Sequence, residues 1–283
     1  MSTIFKPNSV PGYEPYWGEP TSHMNFCEND YEFSHYFGEF INTVSSLAYM
    51  AFGAYPLFRQ WRAGSNSSFH HSFSYIALII VGIGSTLFHL TMKYEFQLVD
   101  DLSMLLGAAT MFHHVLTLDD TWQKKVTVFI AIVISLALAV WAHVYTGDSA
   151  VHQLVFGTMV FTVGYKLVKL NKKYIADEHL RRKLIKLMTF AICELTVAYI
   201  TWWFDTFICD YLRETRAYVG LPWAWLFELH GWWHILTAFG VYIAMVEGEY
   251  LYAVHRGMTV DPDVSYLTLL AGPDSRSSHP KKE

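Results

Sequence analysis

Two stretches of this chain place ionisable side chains at helical spacing inside apolar surroundings. Gly82 to Leu102 reads G-I-G-S-T-L-F-H-L-T-M-K-Y-E-F-Q-L-V-D-D-L and carries Ser85, His89, Asp100 and Asp101. Ser85 and His89 are four residues apart, so a helix would set them on one face, one turn apart. Far downstream, Glu228-Leu229-His230-Gly231-Trp232-Trp233-His234 repeats that i, i+4 spacing with two histidines. Polar groups at membrane depth are costly and usually face a protein interior, where they mark function. Three histidines are a known ligand set for catalytic zinc, with a water in the fourth position, and zinc lowers that water's pKa to about 7. Asp100 would serve as general base and then as acid towards a leaving amine. Ser85 would hydrogen-bond the oxyanion of a tetrahedral intermediate. Together these are the parts of a metal-assisted amide or ester hydrolase fed from the bilayer. Each residue also has a plainer reading. A membrane histidine can be a helix contact, Asp100 and Asp101 can cap a helix start, and Ser85 in G-I-G-S can be small-residue packing.

The composition is that of a membrane protein. Of 283 residues, 53% are hydrophobic and 17% aromatic, while 16% are charged, against about 25% in soluble proteins. A net charge of −5 with no basic stripe excludes a nucleic-acid footprint. Three cysteines are too few for a disulfide scaffold. The first 34 residues are polar and acidic with no apolar h-region, so no cleaved signal peptide is expected. The first apolar helix would serve as the insertion signal.

The elements that must position these residues are apolar runs near 36–58, 72–92, 97–117, 126–146, 151–170, 184–208 and 226–252, each long enough for a span of roughly 20 helical residues. The expected fold is therefore an all-α integral membrane protein of seven transmembrane helices. A polar N-terminal segment (1–34) precedes the helical domain (35–255), and a disordered tail (256–283) follows it. Runs two and three form a tight hairpin across Lys93 to Glu95, and runs four and five turn at Thr146-Gly147-Asp148. With this threading, sixteen of the twenty lysines and arginines fall on the side of the C-terminus. The positive-inside rule then makes that side cytosolic and the N-terminus lumenal. The same threading brings His89, Asp100, His230 and His234 to one depth at the lumenal side, beside the acidic N-terminal segment.

The remaining polar residues have structural readings. The histidine pairs His70-His71 and His113-His114 are expected at the interface. The tryptophans at 202, 203, 223, 225, 232 and 233 form a lumenal aromatic belt, and Glu194 and Asp205 hydrogen-bond between helices. Cys27 and Cys209 both fall on the lumenal side, where disulfides persist, and are expected to pair. Cys193 lies mid-span and should be free. Asn66-Ser67-Ser68 is a glycosylation sequon on the cytosolic side of this topology.

The stretch G-x-G-S-x-x-F-H-x-T-x-K-Y-E-x-Q-L-x-D resembles the alkaline ceramidase family, and His230-Gly231-Trp232-Trp233-His234-Ile235-Leu236-Thr237 resembles its second histidine motif. Tyr16-Trp17-Gly18, C-E-N-D-Y and G-E-F-I-N-T-V-S-S look like that family's opening segment, and the resemblance runs from about residue 12 to 255. It implies a seven-helix fold whose intramembrane zinc site hydrolyses the ceramide amide to a sphingoid base and a fatty acid. The implied zinc ligands are His89, His230 and His234, with Ser85 and Asp100 completing the catalytic set. The family also carries a calcium site. On this chain the matching positions are Asn25, Phe26 (through its backbone oxygen), Glu28, Asp30 and Glu39. The family has aspartate at the first of these and asparagine at the fourth, so Asn25 and Asp30 are exchanged here. Oxygen ligands and total charge are kept, as a hard cation requires.

The expected protein is thus a zinc-dependent ceramidase that takes ceramide from the bilayer, with calcium as a structural or regulatory ion. No nucleic acid and no obligate protein partner is expected. Its expected place is the endoplasmic reticulum or Golgi membrane, the former favoured by Lys281-Lys282-Glu283, an imperfect retrieval signal. Two other classes fit the same residues: a seven-helix receptor of the adiponectin/progestin receptor type with a three-histidine site, and a proton-linked transporter relaying through His89 and Asp100.

Overall fold

The computed structural model describes residues 14–63, 69–147, 150–258, 260, 265–266 and 270–273. Among these the chain forms nine α-helices and a 3-10 helix, with no strand. They are α1 (Phe40–Ser45), α2 (Leu47–Ala63), α3 (Phe69–Thr91), α4 (Tyr94–Thr117), α5 (Trp122–Thr146), α6 (Ala150–Tyr174), α7 (Glu178–Phe207), α8 (Cys209–Val219) and α9 (Leu229–His255), with the 3-10 turn at Trp223–Phe227. The sequon at Asn66, the Asp148 end of the α5–α6 turn, the His70 and His71 side chains and most of the C-terminal tail lie outside the described residues.

Among the described residues, five helices are long and apolar enough to cross a membrane: α3 over Ser72–Thr91, then α5, α6, α7 and α9. Residues such as Phe129, Ile134, Leu138 and Trp141 on α5, and Phe190, Val197 and Ile200 on α7, expose large apolar side chains. Apolar surface of this extent is stable against lipid rather than water. The two other expected spans differ for identifiable reasons. Helix α2 has 17 residues, at the short limit for a span. Helix α4 is long enough at 24 residues but carries Glu95 in its first turn and Asp100 and Asp101 beyond it. The first apolar run is also divided at Ser46, where the Ser45 and Ser46 hydroxyls both donate back to the Asn42 carbonyl. Hydroxyls that compete for a helical carbonyl in this way loosen the ladder.

The chain separates into two compact units. One comprises residues 1–51, 79–103 and 194–239; the other comprises 52–78, 104–193 and 240–283. In the second, Leu105, Ala109 and Met159 form a core joined by Phe112, Ile132 and Leu136 from α4 and α5. There Asn171 Nδ2 donates to Glu247 at 2.8 Å. The Leu270 and Gly272 carbonyls of the tail accept from Tyr242 Oη and Arg59 Nη1.

The first unit contains every candidate site residue, and its N-terminal segment is built around the end of α3. A helix leaves its last four carbonyls without intrahelical partners. Here the Phe88 carbonyl accepts from Met92 N–H, that of His89 from Glu39 N–H and that of Leu90 from Gly38 N–H. The Thr91 carbonyl accepts from Tyr31 Oη. The next carbonyl, Met92, takes both Thr21 and Ser22 N–H. The strap is drawn so close at Gly38 that a Cβ there would stand 2.8 Å from the His89 carbonyl oxygen. Phe26, Phe88 and Met92 make the buried core beneath it, with Met24, Phe96 and Trp202 against them.

Candidate metal centre

Helix α3 ends at the site and α9 begins there, so each delivers its histidines from a terminal turn. His89, His230 and His234 are all buried, and one ring nitrogen from each lies within 4.8 Å of the others. The ring centroids are 5.1 Å apart for His89–His230, 4.9 Å for His89–His234 and 4.5 Å for His230–His234. Buried imidazoles normally hydrogen-bond, yet His89 Nε2 and His230 Nδ1 have no hydrogen-bond partner. Orphaned nitrogens converging on one point fit a cation bound by neutral imidazoles. A metal ion would be held there by His89, His230 and His234.

The far side of each ring is held by the protein. His89 Nδ1 meets Glu39 Oε2 at 2.5 Å, which directs Nε2 at the other histidines. Such carboxylate–histidine pairs fix the tautomer and orientation of metal ligands. The His234 Nδ1 lies 2.8 Å from Ser45 Oγ. His230 is stacked on Phe26, with ring centroids 3.5 Å apart. Its backbone N–H, an orphan donor at the start of α9, gives a 3.2 Å bond to Asp205 Oδ1. The other oxygen of Asp205 accepts the Cys27 N–H at 2.9 Å. Asp205 therefore ties α7, the N-terminal segment and the first turn of α9 together, and its charge suits a helix N-terminus.

Of the two remaining candidates, Ser85 lies against a site histidine, and Asp100 lies on α4 beside Gly84 of α3. Ser85 Oγ is buried, 3.5 Å from His234 Nε2 and 2.8 Å from Ser46 Oγ. Asp100 comes from α4, whose backbone passes close to α3 at Gly84. A Cβ there would sit 3.2 Å from the Asp100 N and Cα. Asp100 is buried, and its Oδ1 has no hydrogen-bond partner.

The five candidate calcium ligands are buried beside this centre. Asn25 Nδ2 donates to Asp30 Oδ2 at 2.8 Å. The first and fourth of the expected ligands thus bond each other. Glu39 Oε1 accepts the Phe26 N–H at 3.0 Å. The Glu28 carboxylate takes the Ile41 and Asn42 N–H groups at 2.6 and 2.9 Å, capping α1. Burial, then the charges of Glu228 and Glu39, push the Glu28 carboxyl well above its usual range. Arg216 faces this acidic group, bonding Glu228 and the Cys27 carbonyl. Arg213 also reaches the Cys27 carbonyl. Carboxylate oxygens keep a second lone pair after one hydrogen bond, but among the described residues only the histidines are gathered closely enough to form a metal-binding group. Cys27 and Cys209 are joined as a disulfide with Cα atoms 5.2 Å apart, and Cys193 on α7 is free and exposed.

Residue reasoning from the sequence did not anticipate the roles of Ser45 and Ser46, nor the bond of Glu39 to His89; the interhelical bond expected of Asp205 is the one it accepts from the His230 N–H of α9. One signal was available. Glu39, Asn42, Thr43, Ser45 and Ser46 crowd polar groups into an apolar run, and all five are buried.

The ceramidase family matches the chain over residues 18–271. The chain belongs to the ceramidase family. Among its relatives, an alkaline ceramidase of Saccharomyces cerevisiae is 31% identical over 92% of this chain and 83% of its own length. Mouse alkaline ceramidase 3 is 28% identical over 89% of this chain and 91% of its own. An alkaline ceramidase of Arabidopsis thaliana is 25% identical over 90% and 93%. The ceramidase match spans the whole candidate centre, from the N-terminal segment through His234.

Proposed function

We propose that this protein is an alkaline ceramidase that hydrolyses the ceramide amide within the membrane. The observation that carries the reading is the convergence of three buried histidines, two of them with an orphaned ring nitrogen, in a chain of the ceramidase family. Zinc bound by His89, His230 and His234 supplies Lewis-acid polarisation and an acidified water. The protein's own residues do the rest. Asp100, with a free Oδ1, takes the proton released as water adds to the amide carbon. It returns that proton to the sphingoid nitrogen as the C–N bond breaks. Ser85 turns its hydroxyl to the developing oxyanion, and Glu39 holds His89 in its ligating tautomer. The products are a free sphingoid base and a fatty acid.

Calcium at Asn25, the Phe26 carbonyl, Glu28, Asp30 and Glu39 would rigidify the strap that carries Glu39 to His89. Seven helices, α2 to α7 and α9, cross the membrane in this reading, with the centre at the lumenal side and the C-terminus cytosolic, in the endoplasmic reticulum or Golgi. The test is release of sphingoid base from ceramide in mixed micelles by purified protein. Hydrolysis that stops on chelation and returns with zinc supports the proposal; zinc-loaded protein inert towards every ceramide favours the receptor reading.

A further inference from the structure

The end of α1 supplies two consecutive serines with different targets. Ser45 Oγ lies 2.8 Å from His234 Nδ1 and 3.1 Å from the Asn42 carbonyl. Ser46 Oγ lies 2.7 Å from that same carbonyl and 2.8 Å from Ser85 Oγ. A carbonyl only accepts, so either hydroxyl that bonds Asn42 O, which also takes the Ser46 N–H, donates to it and has lone pairs left for other donors. For Ser45 the remaining donor is His234 Nδ1–H. That assignment leaves His234 Nε2 deprotonated, on the side of the ring that faces Ser85.

We propose that Ser45 is a positioning residue of the three-histidine centre, fixing the tautomer and tilt of His234 by accepting its Nδ1–H. It does for His234 what Glu39 does for His89 through a carboxylate, but without adding a charge. Ser46 is the corresponding support for Ser85, not for the histidine, since its own distance to His234 Nδ1 is 3.4 Å. Both serines are buried, so water does not replace either hydroxyl without rearrangement.

The proposal rests on the metal reading, and the test separates the two. Wild type, Ser45→Ala, Ser45→Thr and Ser46→Ala would be purified in detergent, stripped of metal and titrated with zinc against a competing chelator. Thermal midpoints would be recorded with and without zinc. Outer partners of metal ligands are worth about 10–100-fold in affinity, so Ser45→Ala should lose zinc affinity by about that factor, and Ser45→Thr should restore most of it. Ser46→Ala should bind zinc as wild type does. The zinc-dependent rise in midpoint should shrink in Ser45→Ala while its metal-free midpoint stays near that of wild type, because ligand stabilisation follows affinity. A lowered metal-free midpoint with an unchanged zinc-dependent rise would make Ser45 merely structural and overturn the proposal. So would Ser45→Ala binding zinc as tightly as wild type. Wild type that binds no zinc would sink the metal reading, and the proposal with it.

Discussion

The catalytic assignment separates holding the metal from moving the proton. Asp100→Asn should keep zinc and lose about 10²–10⁴ in turnover, the usual worth of a positioned acid–base group; zinc content and single-turnover rate measured on one preparation check both halves. Ser85→Ala should cost about 10²–10³ in kcat if its hydroxyl serves the oxyanion. The histidines were legible in the sequence because ionisable groups stand out in apolar helices and the i, i+4 spacing needs only local geometry. Glu39 was legible only as a candidate calcium ligand, not as the partner of His89, and Ser45 only as a polar residue. Their partners lie 50 and 189 positions away, and no local pattern encodes a hydrogen bond over that distance.

At the scale of elements, the N-terminal segment is a strap that completes α3 and supports the site. The disulfide anchors it to the start of α8. Asp205 anchors it to α7 through Cys27 N–H, and Glu28 anchors it to α1. Cys209→Ser should lower stability by about 2 kcal/mol or more, read as a thermal midpoint that falls in the oxidised protein and matches wild type under reductant. If calcium binds within the strap, it should raise the wild-type midpoint and leave Asp30→Ala unchanged. The long helices were readable from run length and composition. Helix α8 was not, since Cys209–Val219 is short and carries Asp210, Arg213, Glu214 and Arg216, and a search for membrane spans passes over it. The division of the first run at Ser46 was hidden too, because it depends on where two hydroxyls turn rather than on hydropathy.

At the scale of the molecule, the proposed threading places the site at the lumenal side and sixteen basic residues on the cytosolic side. A thiol-reactive, membrane-impermeant probe applied to sealed microsomes of single-cysteine variants should label a cysteine placed at Lys124 and spare one placed at Tyr218; the reverse pattern, or a glycan on Asn66, would invert the orientation. The central claim is a metallohydrolase, and the most direct measurement is ceramide hydrolysis by detergent-purified wild type beside His234→Ala, with bound zinc quantified in both. The account predicts turnover with about one zinc per chain in the wild type, and loss of both in the variant. Turnover that survives in His234→Ala, or a wild type that hydrolyses ceramide with no bound metal, would contradict it.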